Sequence, residues 1–231
     1  MISLVNVTKN YQSLIALENI NTIFKDNSTT ALLGKNGAGK TTLIKLITCQ
    51  IFSDNGNIFF DGLESYEHCL EIKNKIGYVS ESPLFYEKWN VKFFLEYSSS
   101  IRKVKSDRID YIIDLFSLQD VLKKKICTLS KGYRQRLAFA QCMLHNPEYL
   151  ILDEPFSALD PLQKKEMYSL IEKEKKDKCI IFSTHQISDI KNICDDVLIL
   201  DKGKIVYNNK YNPDIEKFFN ECFYKEEKNN L

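Results

Sequence analysis

Short apolar runs separated by polar punctuation open the chain: SLVNV, NINTIF and TTALL, followed by DNGNIFFDG at 54–62. Runs of this length bounded by turn residues predict strands joined by turns. The period then changes. In KTTLIKLITCQ, residues 40–50, Leu43, Ile44, Leu46 and Ile47 fall at helical spacing directly after the TTALLG run. From Trp89 to about His145 the spacing is helical almost throughout, broken near RKVKSD and near KKKICTLSK. Beyond it, YLILD reads as a short buried strand, and Asp160-Pro161 as an N-cap followed by proline at the first helical position. CIIFST predicts a strand and QISDIKNI a helix. DVLILDKGKIVYN predicts a hairpin turning at Lys202-Gly203, PDIEKFFNECFY a last helix, and KEEKNNL a frayed end. Alternation of strand and helix implies an α/β core with a parallel sheet, interrupted by a helical insert.

Composition changes this picture little. The 231 residues are 44% hydrophobic and 27% charged, within the range of ordinary globular proteins. Lys plus Arg is 32 against 31 for Asp plus Glu, a net charge of +1, so a protein built mainly to hold nucleic acid is not expected. No apolar run reaches the ~18–20 residues of a membrane span, and MISLVNVTKN lacks a secretory leader's pattern. Seven scattered cysteines with no CxxC spacing suggest reduced thiols, with neither disulfides nor zinc.

Candidate chemistry begins at GKNGAGKT, residues Gly34, Lys35, Asn36, Gly37, Ala38, Gly39, Lys40 and Thr41, with Thr42 next. This is the phosphate-loop pattern, and it sits where its mechanism requires, between a strand and a helix. Gly37 and Gly39 let successive backbone N–H groups converge on a β-phosphate. Lys40 reaches the β- and γ-phosphates, and the Thr41 hydroxyl is a Mg²⁺ ligand. YLILDEP puts Asp153 and Glu154 at the end of an apolar strand. Beside a phosphate loop, Asp153 is a candidate Mg²⁺ holder and Glu154 a candidate general base for the attacking water. CTLSKGYRQRL poses a question, because Ser130, Lys131 and Gly132 open a second helix suited to an anion some ninety residues after the first.

Taken in order, Tyr11, GKNGAGKT, GYVSE at 77–81, LSKGY at 129–133, YLILDEP at 149–155, SALD at 157–160 and STH at 183–185 resemble the ATP-binding cassette (ABC) ATPases across essentially the whole chain. The resemblance implies a P-loop NTPase of the ABC ATPase fold, one domain over 1–231. A parallel-sheet core of 1–88 and 146–231 would carry an N-terminal antiparallel β-subdomain, with 89–145 as an inserted α-helical subdomain. It also answers the question. In this family two cassettes pack head to tail, so Ser130, Lys131, Gly132 and Tyr133 form a signature that would face the ATP held by the partner's phosphate loop. Tyr11 would stack on adenine, His185 would contact the γ-phosphate, and Asp160 would organise the dimer seam while capping the next helix. His68 and His145 match no family position and read as surface or packing residues.

Two positions depart from the family's commoner pattern: Glu81 stands where Gln is usual, and Lys131 and Tyr133 replace Gly and Gln. Glu81 adds negative charge near the triphosphate and is a further candidate Mg²⁺ ligand. LSKGYRQR is similar to the signature of cassettes paired with efflux-type, ABC-2-like permeases. The implied function is an ATPase subunit that binds ATP and Mg²⁺ and serves a separate transmembrane permease at the cytoplasmic face of the membrane. Its second cassette could be another copy or a different chain. The stretch SPLFYEKWNVKFF, with Phe85, Tyr86, Trp89, Phe93 and Phe94, would contact the permease. The alternative is a non-transport ABC ATPase acting as an assembly factor, for example in iron–sulfur assembly.

Overall fold

Among the described residues, ten strands make two sheets in the computed structural model, which describes residues 1–224 apart from Ala158 and Asn192. Strands β1 (Ile2–Tyr11) and β2 (Leu14–Phe24) pair antiparallel. After β3 (Ser28–Leu33) and helix α1 (Lys40–Ile47), the chain returns through β4 (Asn55–Phe60) and β5 (Leu63–Glu64), completing a sheet of order β2-β1-β4-β5. Helix α2 (Cys69–Lys75) then leads into β6 (Ile76–Val79). The insert follows, with α3 (Val91–Arg102), α4 (Ser106–Leu115) and α5 (Lys131–Met143) joined by 3₁₀ turns at Gln119–Val121 and Ile126–Thr128.

The second sheet takes in β7 (Tyr149–Leu152), β8 (Cys179–Thr184), β9 (Asp196–Asp201) and β10 (Lys204–Lys210), in the order β10-β9-β3-β8-β7-β6. Helices α6 (Pro161–Glu174) and α7 (Ile187–Ile190) connect these strands, and α8 (Ile215–Tyr224) follows the last. All its pairings are parallel except β9 with β10. The buried strands STTALL, YLIL and CIIFST are near-continuous apolar or small-residue runs, as strands covered on both faces must be. Side chains alternate across the sheet. Leu33, Leu150, Leu152 and Phe182 join the core shared with the helical insert, whereas Leu32, Tyr149, Ile151 and Ile181 join the core shared with α1 and the antiparallel sheet.

Helix starts follow their sequence signals. Asn90 caps α3 by accepting from the Phe93 N–H at 2.8 Å, and Asp160 caps α6 by accepting from the Leu162 and Gln163 N–H groups at 3.0 and 2.9 Å. Three features differ from the sequence reading. The helix expected over QISDIKNI is the four residues of α7, and the chain turns after it to enter β9 at Asp196. The break expected near KKKICTLSK begins earlier, where Ser117 adopts a left-handed conformation (φ 51°), and it takes in both 3₁₀ turns. α2, β5 and β6 had no counterpart among the expected elements. The expected fraying of KEEKNNL at 225–231 and the Ala158 position of SALD lie outside the described residues.

Candidate active site

The site is built on the carboxyl ends of the parallel strands, the position at which such sheets hold ligands. Where β3 stops at Leu33, the loop turns through left-handed Gly37 (φ 81°) and Gly39 (φ 105°) before α1 begins at Lys40. Only glycine fits the second turn. A Cβ on Gly39 would stand 2.8 Å from both the Ala16 carbonyl oxygen and Leu17 Cδ2. Buried Ala38 donates its N–H to the Lys35 carbonyl at 3.1 Å. Lys40 is 7% exposed, and its Nζ donates to the carbonyl oxygens of Gly34 at 2.7 Å and Lys35 at 3.3 Å. Burial lowers its pKa below the ordinary lysine value, against the opposing pull of Glu154, Asp153 and Glu81.

β7 delivers the two carboxylates. Asp153 is 3% exposed, and its Oδ1 accepts from the Ser183 hydroxyl at 2.6 Å. Glu154 has a left-handed backbone (φ 47°), a conformation that costs a residue with a Cβ about 1 kcal/mol or more and persists only where its surroundings hold it. Its N–H donates to the same Ser183 oxygen at 2.8 Å. One Glu154 carboxylate oxygen is 4.0 Å from Lys40 Nζ, and the other accepts from His185 Nδ1 at 3.0 Å. β8 ends one residue before His185, whose side chain is 48% exposed at the rim.

A cavity of about 550 Å³ gathers Tyr11, Lys35, Asn36, Gly37, Gly39, Lys40, Thr41, Thr42, Glu81, Asp153, Glu154 and His185. These candidates, far apart in the chain, therefore share one space. Thr41, Glu81 and Asp153 offer it a hydroxyl and two carboxylates, an all-oxygen set suited to a hard divalent cation. Among the described residues no group of three or more His, Cys, Asp or Glu side chains makes a metal cage. The set therefore fits an ion that arrives with phosphate oxygens.

The signature candidates do not line this cavity. Ser130 is exposed and caps α5, its Oγ accepting from the Tyr133 N–H at 3.4 Å. Lys131 is exposed, Gly132 packs against the Gln163 side chain, and Tyr133 leans on the core of the insert. Asp160 lies apart from the cavity as the α6 cap. Sequence reasoning missed Leu14, Ile15, Ala16, Lys202 and Gly203 on the cavity wall, and Ser183 beneath it. Leu14 and Ile15, 64% and 51% exposed, left a faint trace as an apolar pair just past Tyr11.

Comparison with known proteins agrees with this geometry. The family model described as "ABC transporter" matches residues 17–157. The ABC transporter ATP-binding protein YxlF of Bacillus subtilis, itself uncharacterized, is 34% identical over 209 residues, covering 89% of this chain and 69% of that protein. The bacitracin transport ATP-binding protein BcrA of Bacillus licheniformis is 35% identical over 209 residues, covering 89% and 68%. Among solved structures, cbiO1 from Clostridium perfringens, part of the ABC transporter complex cbiONQ, superposes with a TM-score of 0.82 at 27% identity, covering 97% of this chain and 93% of that one. A dimeric bacterial ABC transporter cassette matches with a TM-score of 0.77 at 26% identity, covering 91% and 98%. With its family match, its relatives and its phosphate loop in agreement, the chain belongs to the ABC transporter family, as an ATP-binding and ATP-hydrolysing subunit.

Proposed function

We propose that the chain hydrolyses Mg²⁺·ATP in a cavity completed by a second cassette, and that this closure drives a separate membrane permease. The observation that carries the reading is Glu154, whose carboxylate lies between Lys40 and His185 at the mouth of the phosphate loop. The loop backbone and Lys40 bind the triphosphate, and Tyr11 stacks on the base. Thr41, Asp153 and Glu81 would hold the magnesium, which would supply positive charge to offset the negative charge of the phosphate oxygens. Glu154 accepts the proton of the attacking water, and His185 orients its carboxylate and reaches the γ-phosphate.

Ser130, Lys131, Gly132 and Tyr133 act in trans, with Asp160 at the seam. In favour of this, Ser130 and Lys131 are exposed at a helix start that does not line their own chain's cavity. The dimeric cassette among the structural relatives is of the same fold. Residues 89–145 form the helical subdomain that meets the permease at the membrane face. Supporting this, Tyr86 stacks on Trp89 (centroids 4.2 Å apart), and Phe93 and Tyr97 pack edge-on to the same indole. Leu84 beside them is 93% exposed. Phe94 leaves that surface, being 3% exposed in the core, and Phe85 packs edge-on against it. A cavity of about 690 Å³ lies alongside, lined in part by Tyr86, Tyr97, Lys73 and Arg102. The bacitracin transport relative favours transport over the assembly-factor alternative.

Glu154→Gln tests the reading. It is expected to keep ATP affinity within about twofold and to lower kcat by about 100-fold or more. Wild-type turnover in that variant would refute it.

A further inference from the structure

We propose that Ser183 is a positioning residue for ATP hydrolysis, its one hydroxyl fixing the Asp153 carboxylate and the Glu154 backbone together. This rests on the roles given above to Asp153 and Glu154. Ser183 is wholly buried near the end of β8. β7 and β8 run parallel with Leu152 opposite Phe182, so the next residue on each places Ser183 beside Asp153. A hydroxyl carries one donor and two acceptor lone pairs. Here the donor goes to Asp153 Oδ1 at 2.6 Å, and a lone pair takes the Glu154 N–H at 2.8 Å. A methyl group in its place could do neither, and a thiol does both only weakly.

The link has consequences because Glu154 occupies a left-handed conformation that a side chain with a Cβ does not choose unaided. Its N–H must find an acceptor at that spot, and Ser183 supplies it. Releasing the bond frees the Glu154 backbone to relax and swing its carboxylate away from His185 and Lys40. It also leaves Asp153 one donor short beside the phosphate loop. A displacement of 1 Å at a reacting group can cost on the order of 100-fold in rate. The sequence offered no sign of the link, since Ser183 and Asp153 are thirty residues apart and meet only through sheet register.

The test compares Ser183→Ala, Ser183→Thr and Glu154→Gln, reading kcat, ATP affinity in EDTA and in magnesium, and the thermal midpoint. Ser183→Ala is expected to lower kcat at least tenfold and to weaken the magnesium-dependent gain in ATP affinity. Its metal-free ATP affinity should stay within twofold of wild type. Ser183→Thr, which restores the hydroxyl, is expected to recover most of the lost turnover. If Ser183→Ala does not fold, Ser183→Cys fills the same space with a weak donor, and its kcat is expected to fall by at least threefold. A folded Ala or Cys variant with wild-type kcat, while Glu154→Gln is inactive, overturns the proposal and leaves the reading of Glu154 standing. Wild-type turnover in Glu154→Gln overturns that reading instead.

Discussion

His145 shows how one side chain can set a pH response away from the chemistry. Its Nε2 donates to the Ile76 carbonyl at 3.0 Å, while its buried Nδ1 has no hydrogen-bond partner. A second proton on the ring would find no acceptor and would lie near Arg102 and Arg108, so burial first, and then those cations, depress its pKa to about 4. In the unfolded chain histidine titrates near the ordinary 6.5. Between these values the unfolded state binds more protons, so stability is full above pH 6.5 and is lost as pH falls toward 4. The loss amounts to at most ~3 kcal/mol. The expected outcome is a thermal midpoint that drops across this window, with Asn or Gln at position 145 flattening that part of the curve. Gly56 is a steric counterpart. Its φ is 75°, and a Cβ there would sit 2.2 Å from the Asn6 carbonyl oxygen. Gly56→Ala should therefore destabilise the chain by about 3 kcal/mol in denaturant melts.

Among the elements, α6 links the proposed dimer seam to the segment that follows His185. Lys164, one turn into α6, donates to Asp189 at 2.8 Å and to Gln186 at 3.0 Å, and Tyr168 and Thr184 complete the shell around that carboxylate. Asp189 is 2% exposed. Lys164→Met strips the counter-ion from a buried charge, and a loss of about 3–5 kcal/mol is expected in chemical denaturation. Asp160 separates two roles by chemistry. Asp160→Ala should cost about 1 kcal/mol as a lost cap, while Asp160→Asn keeps the cap and leaves the melt unchanged. A fall in turnover in the Asn variant would then report the seam alone. The elements themselves were largely legible. Gly34–Thr41, the YLILD and CIIFST strands and the Asp160-Pro161 start each carry a local signal that tertiary packing does not override. α2 was not, because CLEIKNK buries only Ile72 and has no periodicity to read. Ser183, Lys202 and Gly203 escaped for another reason: their roles arise from sheet register and from a hairpin folding back, which no neighbouring residue encodes.

For the molecule as a whole, the separation of Ser130 and Gly132 from the cavity has a direct test. Lys40→Ala destroys the cradle of its own chain, and Ser130→Arg destroys the lid it offers to another. Neither is expected to turn over alone. Mixed, they should regain activity, since one of the two composite sites in a mixed dimer pairs an intact cradle with an intact lid. Steady-state phosphate release from the mixture checks this, and no recovery would place both halves in one chain. A different lesson lies in how the phosphate loop is braced. The Glu18 N–H donates to the Gly203 carbonyl at 2.8 Å, the Gly203 N–H donates to the Ala38 carbonyl at 3.1 Å, and Gly39 lies against Ala16. The antiparallel sheet and the β9–β10 hairpin thus grip the loop from two sides. A cradle held this way keeps its shape whether full or empty, so the Ala38, Glu18 and Gly203 amides, which donate within this brace, should exchange hydrogens slowly even in nucleotide-free protein. Little ordering entropy is then lost when a diphosphate or triphosphate arrives, and telling the two apart falls to whatever closes over the γ-position.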